Sequence, residues 1–201
     1  MNKDVILIGA GGHGKVVADI VGLCGDRVLG FLDDNKAGFF CGHRILGTTR
    51  EIGQWDCSYF PAVGNNRLRE KLMLLDVDWY TAIHPSAVIA ADVKIGEGTV
   101  AAAGCIINPG SVIGRGVILN TTCAVDHDNR IESFTHVSPG ATLAGTVAIG
   151  RRCWIGVGAR IINNVSICAD TVVGAGAVVL HDLNEAGTYV GVPARKLPDK
   201  D

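Results

Sequence analysis

The chain has 201 residues, enough for one large domain or two small ones. Its formal net charge of −2, from 18 basic and 20 acidic residues, offers no basic footprint for nucleic acid. Apolar residues make up 48% of it, yet no uninterrupted apolar run reaches the roughly eighteen residues of a membrane span.

The first residues, Met1 to Ile8, run straight into a strand without a hydrophobic signal region. Val5–Ile8 reads as buried, and Gly9-Ala10-Gly11-Gly12-His13-Gly14 then opens an amphipathic helix that ends between Gly22 and Gly25. A second strand, Val28–Leu32, ends at Asp33-Asp34. Glycines 9, 11 and 14 fit GxGxxG after a strand and before a helix, with an acidic pair at about the distance used for a ribose contact. Such a turn presents backbone N–H groups to phosphate oxygens. The unit is short for a whole dinucleotide fold, and His13 adds bulk to the loop. The reading is therefore a site for the pyrophosphate of a smaller nucleotide, with a nicotinamide site and a purely packing turn as alternatives.

A helix is expected near Thr49, then a strand over Tyr59–Val63, a Gly64-Asn65-Asn66 turn, and a helix from about Arg67 to Leu75. Because ligands bind at the carboxyl ends of parallel strands, Asn65 and Asn66 are placed on one rim with Gly11, Gly12, His13, Asp33 and Asp34. This α/β unit is assigned to residues 1–80.

From Ile83 to Val178 the chain keeps a period of six. The first position reads Ile83, Ile89, Ile95, Ala101, Ile107, Ile113, Leu119, Val125, Ile131, Val137, Leu143, Ile149, Ile155, Ile161, Ile167, Val173; only Ala101 is not Val, Ile or Leu. The fifth position is small or β-branched, as in Ala87, Thr99, Cys105, Cys123, Ala141 and Cys153. Six fits neither a helix nor long alternating strands; it fits a parallel β-helix whose branched residues stack coil on coil. Residues 81–201 are assigned to this solenoid and a C-terminal cap. Glycines at the second position (Gly96, Gly114, Gly150, Gly156, Gly174) are read as corners needing permissive φ. Seven cysteines, without CxxC spacing and with three at the small fifth position, indicate apolar fillers in a reducing cytoplasm rather than disulfides or zinc.

One turn departs from the bland exterior: Val125-Asp126-His127-Asp128-Asn129, with His136 half a coil later. An imidazole beside carboxylates suits a general base, since the carboxylate fixes the tautomer and raises basicity. A zinc reading of Asp126, His127 and His136 lacks close ligand pairing, and no metal is expected.

Together these segments resemble the sugar-nucleotide N-acetyltransferases of the left-handed β-helix class, above all the group that acetylates the 4-amino group of UDP-4-amino-4,6-dideoxy-N-acetylglucosamine to give UDP-N,N′-diacetylbacillosamine. The resemblance rests on Ile8 to Val17, Phe31-Leu32-Asp33-Asp34, Val63 to Arg67, Ile83-His84-Pro85, Leu119-Asn120-Thr121, Val125 to Asp128, His136 to Ala141 and Gly191 to Ala194. It implies a left-handed coil, His127 as base with Asp128 as its orienting partner, and Asn120 near the sugar. The UDP part would be held by Gly11, Gly12, His13, Asp33, Asp34, Asn65 and Asn66. Acetyl-CoA would meet His136 and run past Gly145, Ile155, Gly156, Gly174 and Ala175 towards Pro193 and Arg195. The family implies a homotrimer with active sites between subunits, and the Gly145 N–H as an oxyanion donor. Asp126 and Asp128 both flank His127, which leaves open which one supports it. Rival readings are a GDP-perosamine N-acetyltransferase, a sialic-acid O-acetyltransferase, a nicotinamide-dependent oxidoreductase, and a binding solenoid without chemistry.

Overall fold

The computed structural model describes residues 2–198. The apolar run at the start forms β1 (Asp4–Ile8), whose Val5, Ile6 and Leu7 are fully buried. It is followed by α1 (Gly12–Leu23), β2 (Arg27–Leu32), β3 (Phe39–Phe40), β4 (His43–Gly47), a single 3-10 turn at Thr49–Glu51, β5 (Ser58–Phe60) and α2 (Asn66–Leu72). The sheet order is β3-β4-β2-β1-β5, parallel except for the β3–β4 hairpin. The helix expected at Thr49 is thus one turn, closed by a Thr48–Glu51 capping box. The strand expected to reach Val63 ends at Phe60, where Pro61 supplies no N–H to continue the ladder.

From Ala82 to Val179 every strand is two residues long, and each up to Arg160–Ile161 pairs in parallel with the strand eighteen residues on: Ile106 with Ala124, Ala124 with Thr142, Thr142 with Arg160. Three hexads therefore make one coil, and the strands stack into three sheets. First-position residues from Ala101 to Val173 are buried and join one core with the fifth-position cysteines and alanines. Ile83 is instead 38% exposed, and Ile89 and Ile95 are only partly buried, because these residues form the open end of the stack.

The glycine expectation needs correction. Positive φ falls at the fourth position of the hexad, as in Gly98 (+67°) and Gly116 (+60°), and there the chain also uses Thr122 (55°), Asp128 (59°), Phe134 (64°) and Arg152 (59°). The second-position glycines have ordinary φ and serve close approach. A Cβ on Gly96 would lie 2.5 Å from Arg115 N, and one on Gly114 2.5 Å from Ser133 N. They keep the corner of one coil clear for the backbone of the next.

The α/β part lies on the sheet that contains Val100 and Ile118, which share a core with Val5, Leu7, Phe60 and Tyr80. The outward ladder of that sheet continues through His136, Trp154 and Val172. The covering stops between Ile118, which is buried, and Trp154, which is 48% exposed. No helix among the described residues is long and apolar enough to cross a membrane.

Candidate active site

His127 projects from the turn after Ala124–Val125 and is exposed. Its Nδ1–H donates to Asp128 Oδ2 at 2.8 Å. Asp126 is occupied elsewhere: its Oδ1 accepts from Asn108 Nδ2 at 2.8 Å and from the His127 backbone N–H at 2.9 Å. Asp128 therefore fixes the tautomer, leaving the Nε2 lone pair outward, while Asp126 fixes the turn. The bond to Asp128, assisted by the charge of Asp126, holds the His127 pKa above its ordinary value. Asn129, which breaks the small-residue rule of the repeat, is fully buried. Its amide nitrogen donates to Asp126 O, His127 O and Ala144 O, and its oxygen accepts from Val147 N. A buried amide with both ends satisfied holds the turn rigidly.

Gly145 sits one coil above His127. A Cβ there would stand 2.5 Å from both Cε1 and Nε2 of the imidazole, so this glycine makes room for the ring. Among the described residues no acceptor takes the Gly145 N–H.

His136 differs in every respect. Its ring stacks on Trp154 with centroids 5.6 Å apart and planes 12° from parallel. Asn120 Oδ1 accepts from Thr121 N, so Asn120 Nδ2 is the donor to His136 Nε2 at 3.1 Å. The proton of His136 is thereby placed on Nδ1, which is buried and without a partner. Burial, with the Arg69 cation and His13 nearby, pushes the His136 pKa down to about 3. His13 Nε2 is likewise buried and unpartnered, and burial together with Arg69 lowers its pKa to about 4. Both imidazoles are neutral at any ordinary pH. The expectation that His13 faces a phosphate meets a side chain turned inward, with its ring 6.4 Å from that of Phe60.

The N-terminal rim residues separate into three groups. Gly11 and Gly12 are exposed at the start of α1. Asp33 and Asp34 edge a cavity of about 400 Å³ whose walls include Ile8, Leu32, Ile52, Leu68 and Leu72. Asp33 is partly engaged, accepting from Ala10 N at 2.8 Å and Asn35 N at 2.9 Å. Asp34 accepts from Thr49 N at 2.8 Å and Thr49 Oγ1 at 3.1 Å. Asn65 and Asn66 do not line this cavity. Asn65 caps α2 through Leu68 N, and Asn66 Nδ2 donates to Arg152 O and Cys153 O, both at 3.0 Å, in the solenoid.

On the solenoid, His136, Trp154 and Val172 form one outward ladder. Gly156 and Gly174 lie along its edge, where a Cβ would stand 2.6 Å from Val173 O and 2.7 Å from Val190 Cγ1 respectively. Ala175, Pro193 and Arg195 are exposed at its far end. Ile155 points into the core with no exposed surface, so only its backbone faces this strip. Cys123 is also inside, and its contact with Cys105, reinforced by burial, pushes its thiol pKa up. Sequence reasoning missed Arg69, Trp154 and the apolar cavity. Trp154, an aromatic at an outward position of the repeat, was a readable signal. Among the described residues, no three His, Cys, Asp or Glu side chains converge as a metal site.

Residues 4–74 match the family model of the PglD N-terminal domain. The acetyltransferase domain of PglB from Neisseria gonorrhoeae, solved in complex with acetyl coenzyme A, superposes with a TM-score of 0.94. It is 37% identical, and the match covers 98% of this chain and 100% of that one. This chain belongs to the hexapeptide-repeat sugar N-acetyltransferases. PerB from Caulobacter crescentus, solved with CoA and GDP-perosamine, is 40% identical with a TM-score of 0.91, and the match covers 97% of each chain. Among curated proteins, the UDP-N-acetylbacillosamine N-acetyltransferase of Bacillus subtilis is 37% identical over 112 residues, which is 50% of this chain. The match spans about half of that relative, 52% of its length. The fold is the left-handed β-helix with an N-terminal α/β part, as the repeat and the resemblance implied.

Proposed function

We propose that the protein transfers the acetyl group of acetyl-CoA to the 4-amino group of a UDP-linked 4-amino-4,6-dideoxy sugar, giving UDP-N,N′-diacetylbacillosamine. The observation that carries the acetyl-transfer reading is the His127–Asp128 pair set against Gly145 on a family scaffold. The work divides between residues 1–80, which hold the nucleotide at the cavity edged by Asp33 and Asp34, and residues 81–201, which hold acetyl-CoA and do the chemistry. The UDP preference rests on the bacillosamine relative, and the GDP-perosamine complex of PerB keeps GDP-perosamine as the second reading.

In the reaction the neutral sugar amine attacks the thioester carbonyl, forming the C–N bond. His127 Nε2 takes the amine proton, and the imidazolium is stabilised by Asp128. The Gly145 N–H, unclaimed by the chain, is placed to donate to the oxyanion. Collapse of the tetrahedral intermediate breaks the C–S bond and releases CoA, whose sulfur takes up a proton. Transfer is direct, because the Cys123 thiol lies inside the solenoid. His136, whose neutral ring stacks on Trp154, is assigned to the thioester end of the cofactor by its place on the outward ladder. Its strip continues past Gly145, Gly156, Gly174 and Ala175 to Pro193 and Arg195. Asn120 orients His136 from the sugar side. With His127 open to solvent on a single chain, the opposite wall of the site is assigned to a second subunit of a homotrimer. The reaction is placed in the cytoplasm, where acetyl-CoA is supplied.

The test is thiol release from acetyl-CoA with three acceptors: UDP-4-amino-4,6-dideoxy-N-acetylglucosamine, GDP-perosamine and free sialic acid. Turnover on the UDP sugar alone is expected. Turnover on GDP-perosamine alone would transfer the assignment to that substrate, and inactivity on all three would refute acetyl transfer to this class.

A further inference from the structure

Among the described residues Arg69 is the largest fully buried side chain, with no exposed surface, and it has no carboxylate partner. Burial lowers its pKa to about 9, which still leaves a cation at neutral pH. Its fork is satisfied entirely by uncharged oxygens. Within the α/β part, Nη1 donates to Val63 O at 3.1 Å and Gly64 O at 3.2 Å, and Nη2 donates to Asn66 Oδ1 at 2.8 Å. Across the junction, Nε donates to Gly116 O at 2.6 Å and Nη2 to Phe134 O at 2.9 Å.

Those last two acceptors are equivalent positions on consecutive coils, both held at positive φ. The same corner recurs at Arg152, whose carbonyl accepts from Asn66, and at Asp170, whose carboxylate accepts from Arg67 Nη2 at 3.1 Å. Further down, the Arg115 guanidinium donates to Met73 O at 2.9 Å. α2 thus runs along one corner of the solenoid, and its side chains grip successive coils. A buried guanidinium without a counter-ion is costly unless every N–H is placed, and only this one relative position of the two parts places them.

We propose that Arg69 is a positioning residue that sets the offset between the cavity edged by Asp33 and Asp34 and the His127 turn, so that one nucleotide-linked acceptor engages both. The proposal rests on the acceptor being nucleotide-linked, as proposed above. UDP alone fills only the α/β part and is indifferent to the offset, whereas the complete acceptor spans both parts and depends on it.

The experiment compares wild type with Arg69→Met and Arg69→Lys. It measures KM and kcat for the complete acceptor and the Kd of UDP by calorimetry. In Arg69→Met the acceptor KM is expected to rise about tenfold or more, as misplacement near 1 Å produces, with the UDP Kd within about twofold of wild type. Arg69→Lys keeps the charge but not the fork and is expected to fall between them. A purely stabilising role would lower the active fraction, and hence kcat, without moving KM. An unchanged acceptor KM in folded Arg69→Met overturns the proposal. So does a parallel rise in the UDP Kd, which would make Arg69 a support of the cavity alone. Should Arg69→Met not fold, Asn66→Ala removes the grip on the Arg152 coil and is read by the same two constants, with the same overturning results. If wild type turns over no nucleotide-linked amino sugar, the functional reading fails separately. The offset is then read by hydrogen exchange in Arg69→Lys, where unchanged protection at residues 116–118 and 134–136 would overturn it.

Discussion

Two corners of one solenoid show how a uniform repeat acquires a site. At Asp128 and at Phe134 the backbone is nearly the same, with φ of 59° and 64° at the fourth position of the hexad. At the Phe134 corner the outward carbonyl is taken up by Arg69, and the polar capacity of the turn goes into attachment. At the Asp128 corner the turn is braced from within by Asn129, and the imidazole is left outside with a free lone pair. The two corners differ in which side of the turn the hydrogen bonds occupy. The histidines beside these corners follow suit: His127 has a raised pKa, while His136 has one lowered to about 3.

The largest expected effect tests whether the exposed corner carries the chemistry. His127→Ala is expected to lower kcat by about 10²–10⁴ with the fold intact, measured by thiol release. An active variant would move the base elsewhere. Asp128→Asn is expected to cost about tenfold or more and to shift the pH profile. Asp128 raises the pKa of the free base, so its loss moves the acidic limb of kcat/KM to lower pH. Asp126→Asn, which leaves the Nδ1 partner in place, is expected to move that limb less. Gly145→Ala is expected to lower kcat about tenfold by displacing the imidazole its Cβ would overlap.

A smaller effect tests the closed corner. His13 and His136 are neutral when folded, with pKa values of about 4 and about 3, whereas in the unfolded chain each titrates near its ordinary 6.5. Their contribution to stability is present above pH 6.5 and is lost as pH falls towards 4, by at most about 1.4 kcal/mol per pH unit for each. Denaturant unfolding between pH 7 and pH 4.5 measures this, and His136→Phe is expected to flatten the slope. The smallest effect is expected of Cys123→Ala: activity kept, with stability lowered by about 1 kcal/mol for a lost core contact.

The period of six made the solenoid legible, because every coil repeats one requirement for an inward branched residue beside a small one. It did not separate the two roles of glycine. Both turning a corner and clearing the next backbone select the same residue, and only the φ angles distinguish Gly98 from Gly96. The Asp126-His127-Asp128 turn was legible as a cluster, but the choice between its carboxylates depends on Asn108, a full coil away, which engages Asp126. Asn65 and Asn66 read as rim residues from their place after a strand. Asn65 is the local N-cap of α2, whereas the Asn66 bonds to Arg152 and Cys153 belong to a contact between parts remote in sequence, and no local pattern announces it. Arg69 was invisible for the same reason, since an arginine on a short polar helix usually signals a solvated face.

The grip of α2 on equivalent corners of consecutive coils also indexes the molecule. Neighbouring coils lie about 4.8 Å apart, the spacing of paired strands, so the α/β part can be seated only in whole steps of that size. A coil of eighteen residues duplicated beyond Asp170 would lengthen the solenoid and leave the seating untouched. The same duplication between Gly116 and Arg152 would separate carbonyls that Arg69 and Asn66 must reach together. Growth of this chain by repeat duplication is thereby channelled to its far end, along the strip beyond Trp154, and kept away from the coils that the α/β part has already counted.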